Sequence, residues 1–174
     1  MNTYFIAIQL VAVLAWLLLV ISFYKKNTNK ILVIQIVSSI LYCIHYLFLG
    51  AYTAVFIFIV DVIRDYSYYK TELDKYIFYF LIPVYLIIGI FNFYIFIDIL
   101  PIFSSLIDGF ALTKSQKVIV IGGIVSYILW IIYDISVMSY TGALTDLLIV
   151  ISNMSILLFG KNIIKANKKE GLKI

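Results

Sequence analysis

Apolar residues run along this chain in long blocks separated only by short polar clusters. The blocks cover 4 to 23, 31 to 49, 52 to 69, 76 to 94, 97 to 113, 118 to 138 and 142 to 160. Each is close to the ~20 residues that a helix needs to cross a bilayer. The pattern predicts an all-α integral membrane fold of seven transmembrane helices. No heptads, low-complexity tracts or soluble domains interrupt it, and only 163–174, with Lys165, Lys168, Lys169 and Lys173, reads as a solvated cytoplasmic tail. The first block has no basic residue ahead of it and no small-x-small cleavage site before Lys25, so it reads as a retained helix rather than a signal peptide.

One block is used twice. Ile36 to Thr53, IVSSILYCIHYLFLGAYT, returns as Ile124 to Thr141, IVSYILWIIYDISVMSYT. At that constant offset Ile36, Val37, Ser38, Ile40, Leu41, Ile44, Tyr52 and Thr53 meet identical residues, and Tyr42 meets Trp130. Helices 2 and 3 therefore correspond to helices 6 and 7, and helix 1 should correspond to helix 5, with helix 4 as a linker. The expected plan is 3+1+3: residues 1–71, a linking helix over 72–95, and residues 96–162. A single linking helix gives both halves the same orientation, a parallel repeat about the membrane normal, as in the SWEET sugar transporters. The short turns Gly50-Ala51 and Ser139-Tyr140 are expected to fold 2/3 and 6/7 into antiparallel hairpins.

Composition agrees with a membrane class. Hydrophobic residues make up 64% of the chain and charged ones 13%, against roughly a quarter charged in a soluble domain. The net charge of +4 is better explained by topology than by nucleic acid, because the basic residues lie at helix ends, in loops or in the tail. Lys25, Lys26 and Lys30 fall between helices 1 and 2, Arg64, Lys70 and Lys75 at the 3–4 junction, and Lys114 and Lys117 between 5 and 6. The other junctions carry none, so the positive-inside rule places the N-terminus outside and the C-terminus in the cytoplasm. Cys43 stands alone, which excludes a disulfide framework or a cysteine metal site.

Several short motifs carry a family resemblance. His45-Tyr-Leu-Phe-Leu-Gly50-Ala-Tyr52, Asp61-x-x-Arg64, Asp98-Ile-Leu-Pro101, Trp130-x-x-Tyr133-Asp134 and Gly142-x-x-x-Asp146 followed by Asn153 resemble the bacterial inner-membrane YgjV family. The similarity runs through nearly the whole chain. That family resembles the wider group of SWEET, PQ-loop and PnuC-like transporters. The resemblance implies a multi-pass protein of the bacterial inner membrane and a transport role with no substrate attached, and by analogy a homo-oligomer, dimer or trimer.

Ionisable groups at membrane depth normally face the bundle interior or one another. Counting ~1.5 Å per residue from the external turns puts His45, Tyr133, Asp134 and Asp146 about 9 Å deep. The same count puts Tyr42, Trp130 and Asp61 at about 14 Å, and Ser38, Ser126, Asp65 and Asn153 at about 20 Å. These matched layers are expected to line a substrate pathway comprising Ser38, Tyr42, His45, Ser126, Trp130, Tyr133, Asp146 and Asn153. Asp61, Arg64 and Asp65 share one helix face by their i, i+3, i+4 spacing and, with Asp108, are expected to form a gate or ion-pair cluster. Each has a packing alternative: the charged trio a structural latch, His45 and Trp130 interhelical packing, Ser38 and Ser126 bonds to backbone carbonyls. Asp108 with Gly109 would then cap a helix. Asp98 and Pro101 fit either a broken helix or the start of helix 5, where a carboxylate and a proline are both favoured. Pro83 is expected to kink the linking helix, and Tyr52, Tyr140 and the tyrosine cluster over 66–69 to form interfacial belts.

Facilitative or proton-coupled transport of a small polar solute, working by rocking of helices 1–3 against 5–7, is the expected function. The outer gate would use His45, Tyr133 and Asp146; the inner gate would use Arg64, Asp65 and Asp108. The alternative is a non-transporting interaction or assembly protein. An enzyme is not expected, since the chain has no HExxH, no cysteine ligand set and a single histidine. Neither is a cofactor or metal. The lipid bilayer is the other expected partner.

Overall fold

The computed structural model describes residues 3–23, 28–70, 74–92, 96–112 and 114–169. Its elements are α1 (Thr3–Phe23), α2 (Thr28–Leu49), α3 (Tyr52–Lys70), α4 (Asp74–Asn92), a 3-10 turn (Phe96–Asp98), α5 (Ile99–Leu112), α6 (Gln116–Ser136) and α7 (Tyr140–Lys169). The seven hydropathy blocks coincide with these seven helices. Lys25 and Lys26 lie outside the described residues.

Helices α5 and α7 depart from the lengths that hydropathy suggests. Helix α5 has only 14 residues, about 21 Å at ~1.5 Å per residue. Pro101 is its third residue, in the first turn, where a missing N–H removes no hydrogen bond. Asp98 and Pro101 therefore mark a helix start. Helix α7 runs to Lys169, past the tail boundary at 163, because apolarity measures what can sit in a membrane and not where helical hydrogen bonding stops.

By length and composition, Thr3–Ser22, Lys117–Ser136 and Tyr140–Phe159 can each cross a membrane, and Val33–Leu49 and Tyr76–Phe91 are shorter apolar stretches. Helix α3 falls below that level because it carries Asp61, Arg64 and Asp65.

Packing joins α1 to α2 and α7, α5 to α6 and α3, α2 to α3, and α6 to α7. Six helices thus close a ring in the order α1, α2, α3, α5, α6, α7, and α4 flanks it against α3 and α5. The ring turns its polar groups inward: His45 and Asp134 are 0% exposed, whereas Phe80 and Phe91 on α4 are 75% and 77% exposed. In water this arrangement would be reversed; in hydrocarbon it puts ionisable groups where they can find partners. Small residues let the backbones approach, with Ala12 and Ala15 on α1 and Ala54 on α3 fully buried. The two repeat-matched serines tie neighbouring helices together. Ser38 Oγ donates to the Ala15 carbonyl at 2.7 Å, while Ser104 Oγ donates to the Ser126 carbonyl at 3.1 Å and lies 2.6 Å from the Ser126 hydroxyl.

The α2–α3 and α6–α7 hairpins share one backbone pattern. In the first, Gly50 N–H donates to the Leu47 carbonyl (3.1 Å), Ala51 N–H to Tyr46 (3.0 Å) and Val55 N–H to Ala51 (3.2 Å). In the second, Met138 N–H donates to Ile135 (3.3 Å), Ser139 N–H to Asp134 (2.8 Å) and Ala143 N–H to Ser139 (2.9 Å). Both are Schellman turns, with left-handed φ of 74° at Gly50 and 61° at Met138. The second turn is therefore Met138-Ser139, one residue earlier than the sequence suggests. Methionine carries no turn signal, and Tyr140 already opens α7.

Candidate functional site: a polar cavity closed at one end

The ring has two unlike ends. The hairpin end carries the α2–α3 and α6–α7 turns. The basic end carries the α1–α2, α3–α4 and α5–α6 junctions, flanked by Lys30, Lys70, Lys114 and Lys117.

At the hairpin end the helices are stapled by hydrogen bonds, those of His45 and Tyr46 buried. His45 Nδ1 lies 2.9 Å from the Ile8 carbonyl on α1, and Nε2 lies 2.9 Å from Ser139 Oγ in the second turn. A carbonyl can only accept, so Nδ1 carries a proton and donates to Ile8, while Nε2 pairs with the serine hydroxyl. Tyr46 OH donates to Asp134 Oδ1 at 2.6 Å, joining α2 to α6. Gly142 makes room for this carboxyl, because a Cβ there would overlap both Asp134 Oδ2 and Ser139 Oγ. From α1, Gln9 Nε2 donates to the Met138 carbonyl (2.9 Å) and its Oε1 accepts from Thr141 N–H (3.0 Å). One amide therefore holds both sides of the left-handed methionine.

Below this layer lies an aromatic tier. The Phe58 ring stacks on Tyr42 (5.5 Å, 17°) and on Tyr46 (5.4 Å, 19°), with Trp130 5.4 Å away. Thr145 Oγ1 donates to the Gly142 carbonyl at 2.7 Å, which leaves it to accept from Tyr42 OH at 3.4 Å.

Beneath the aromatic tier the ring is hollow. A cavity of about 550 Å³ reaches from Tyr46 and Trp130 down to Leu19 and Ile119, near the basic ends of α1 and α6. Its size falls within the ~300–1,000 Å³ usual for small-molecule sites. All six ring helices contribute to its wall, and α4 does not. Among the described residues, Gln35, Ser39, Ser105, Asp108, Asp146 and Asn153 face it without a hydrogen bond to protein. Asp61 and Arg64 also line it but are engaged: Arg64 Nη1 lies 3.0 Å from Asp61 Oδ1, which also accepts from Tyr85 OH on α4 at 2.9 Å. No three His, Cys, Asp or Glu side chains among the described residues come together as a metal site.

Of the residues picked from sequence as pathway, Ser38, Tyr42, Ser126, Trp130, Asp146 and Asn153 line the cavity, as do Asp61, Arg64 and Asp108 from the gate set. His45 and Tyr133 sit above it in the closed layer, each 0% exposed, so they do not share a surface with Asp146 on the cavity wall. The Asp65 side chain lies outside the described residues. Sequence reasoning missed Gln9, Tyr46, Phe58 and Ser139. Tyr46 had a usable signal: it and Asp134 are the same position in the two copies of the repeat, and repeat mates that bond each other must lie beside the axis relating the halves. Gln9 and Phe58 had none, since each acts through a long-range contact.

The family model for the YgjV bacterial inner membrane proteins matches residues 6–160. No curated relative and no solved structure matches.

Proposed function

Because the chain belongs to the YgjV family of bacterial inner membrane proteins, we propose that it is a seven-span transporter of a small polar solute, built as two three-helix repeats joined by α4. The N-terminus and the hairpin end then face the periplasm, and the basic end faces the cytoplasm. Support for the repeat comes from packing that is unchanged when α1, α2 and α3 are exchanged for α5, α6 and α7, and from two hairpins with the same three backbone bonds.

The observation that carries the reading is the cavity. A ring of six helices surrounds a space whose lining includes six polar side chains without a hydrogen bond to protein among the described residues, sealed above by His45, Tyr46, Asp134 and Gln9 and extending toward the basic end. An interaction or assembly protein would use its interior polar groups for helix contacts and would have a dry, filled midplane. In a transporter the same geometry is a state open to the cytoplasm. Transport then requires the α1/α2 side to separate from the α6–α7 hairpin, breaking those bonds while the basic end closes. Arg64, held by Asp61 in the cytoplasm-open state, is the side chain with the reach and charge to close that end.

The test is solute-dependent thermal stability of the purified protein across sugars, nucleosides, vitamins and amino acids, followed by uptake of any hit into proteoliposomes. A bound solute raises stability by mass action. Asn153→Ala and Trp130→Ala should abolish both the stabilisation and the uptake; unchanged flux in both variants would refute the site.

A further inference from the structure

We infer that the cavity selects an organic cation with a flat or apolar body, bound by Asp146 and Asp108 beneath the aromatic tier. This deepens the transport reading and rests on the same cavity.

Charge and shape together carry the inference. Four formally charged side chains line the space, Asp61, Arg64, Asp108 and Asp146. Arg64 is paired with Asp61 on α3 at 3.0 Å, and its single charge, which also acts on Asp108, balances one of the three carboxylates. Asp108 from α5 and Asp146 from α7 enter from different walls of the ring, and neither has a hydrogen-bond donor among the described residues. The remaining formal balance of the wall is negative. An anion would meet two carboxylates and no unpaired cation lining the cavity among the described residues.

The roof adds a second, independent preference. Tyr42, Tyr46, Phe58 and Trp130 all border the cavity, and aromatic faces attract cations through the ring quadrupole, most strongly where water is scarce. Flat bodies also stack on them. Carboxylates on the walls and rings overhead are together the chemistry that holds a protonated or quaternary amine carried on a ring. Gln35, Ser39, Ser105 and Asn153 supply neutral donors and acceptors for the rest of such a molecule.

Three probes with one indole ring and different side-chain charge isolate the effect: tryptamine (cation), tryptophol (neutral) and indole-3-acetate (anion). Equilibrium binding is measured on the purified full-length protein in lipid nanodiscs. A charge-assisted contact of roughly 1.5–3 kcal/mol corresponds to a preference for tryptamine over tryptophol of about tenfold or more, with the anion weakest. Asp146→Asn should reduce tryptamine to the level of tryptophol and leave tryptophol unchanged; Asp108→Asn makes the same comparison should the first variant fail to fold. Equal binding of the three probes, no binding of any, a preference for the anion, or a cation preference surviving in both variants overturns the assignment. The readout involves no flux. Cation binding that depends on these carboxylates without uptake into proteoliposomes would refute transport and leave the ligand class standing. Uptake of a neutral solute without cation preference would do the reverse.

Discussion

The two ends of the ring are built from the same six helices and repeat-matched residues, yet one is filled and the other is hollow. At the hairpin end most polar side chains that cross between helices reach a named partner, His45 to Ile8 and Ser139, Tyr46 to Asp134, Gln9 to Met138 and Thr141, and only Tyr133 OH and Asp134 Oδ2 are buried without one among the described residues. Toward the basic end Asp108, Asp146 and Asn153 face a cavity and reach none among the described residues. A polar group in hydrocarbon is costly wherever it sits, so the satisfied set is accounted for by folding. The set that faces the cavity gains no such bonds in the empty protein, as expected of groups kept for a ligand.

That contrast orders the expected effects of substitution. His45→Ala should cost most, about 2–3 kcal/mol, because it removes two interhelical hydrogen bonds and leaves a void among 0%-exposed neighbours. Thermal or denaturant unfolding in detergent reads this directly; a loss below ~0.5 kcal/mol, the level of an ordinary surface change, would mean that the hairpin end is not tightly packed. Tyr46→Phe keeps the ring stack on Phe58 and removes only the donor to Asp134, so a smaller loss of about 1–2 kcal/mol is expected.

The two hairpins sharpen the comparison at a single dihedral. Gly50 has open space around its missing Cβ, so Gly50→Ala should cost about 1 kcal/mol from its left-handed φ alone. Met138→Gly relieves the same strain in the other hairpin and should raise stability by at most about 1 kcal/mol, offset in part by the freer unfolded chain. Opposite signs at these matched positions are the expected result. At the bottom of the scale, Asn153→Ala and Ser105→Ala should change the stability of the empty protein by less than ~0.5 kcal/mol, since they break no bond, while removing stabilisation by solute.

How much of this was written in the sequence follows from range. Helices are local, so apolar block length located all seven, missing chiefly the shortness of α5 and the length of α7. The repeat made the hairpins legible, down to the turn that contains Gly50. It misjudged the other by one residue because the left-handed position there is a methionine held by Gln9, 129 positions away along the chain. Depth counting brought Ser38, Tyr42, Trp130, Asp146 and Asn153 to one region, because rise per residue fixes height. Height does not fix rotation about the helix axis. For that reason His45 and Asp146, equal in depth, ended on different surfaces, one in the closed layer and one on the cavity wall.

The central claim is that this cavity is a solute pathway open toward the basic, cytoplasmic end and shut at the hairpin end. The most direct measurement places a single cysteine at Ser105, in a chain whose own Cys43 is replaced by serine, and treats the protein in oriented membrane vesicles with a membrane-impermeant maleimide from each face. Labelling of Ser105→Cys that is faster from the cytoplasmic face and slowed by a bound solute is the result expected here. Labelling from the periplasmic face alone, or from neither, would contradict it.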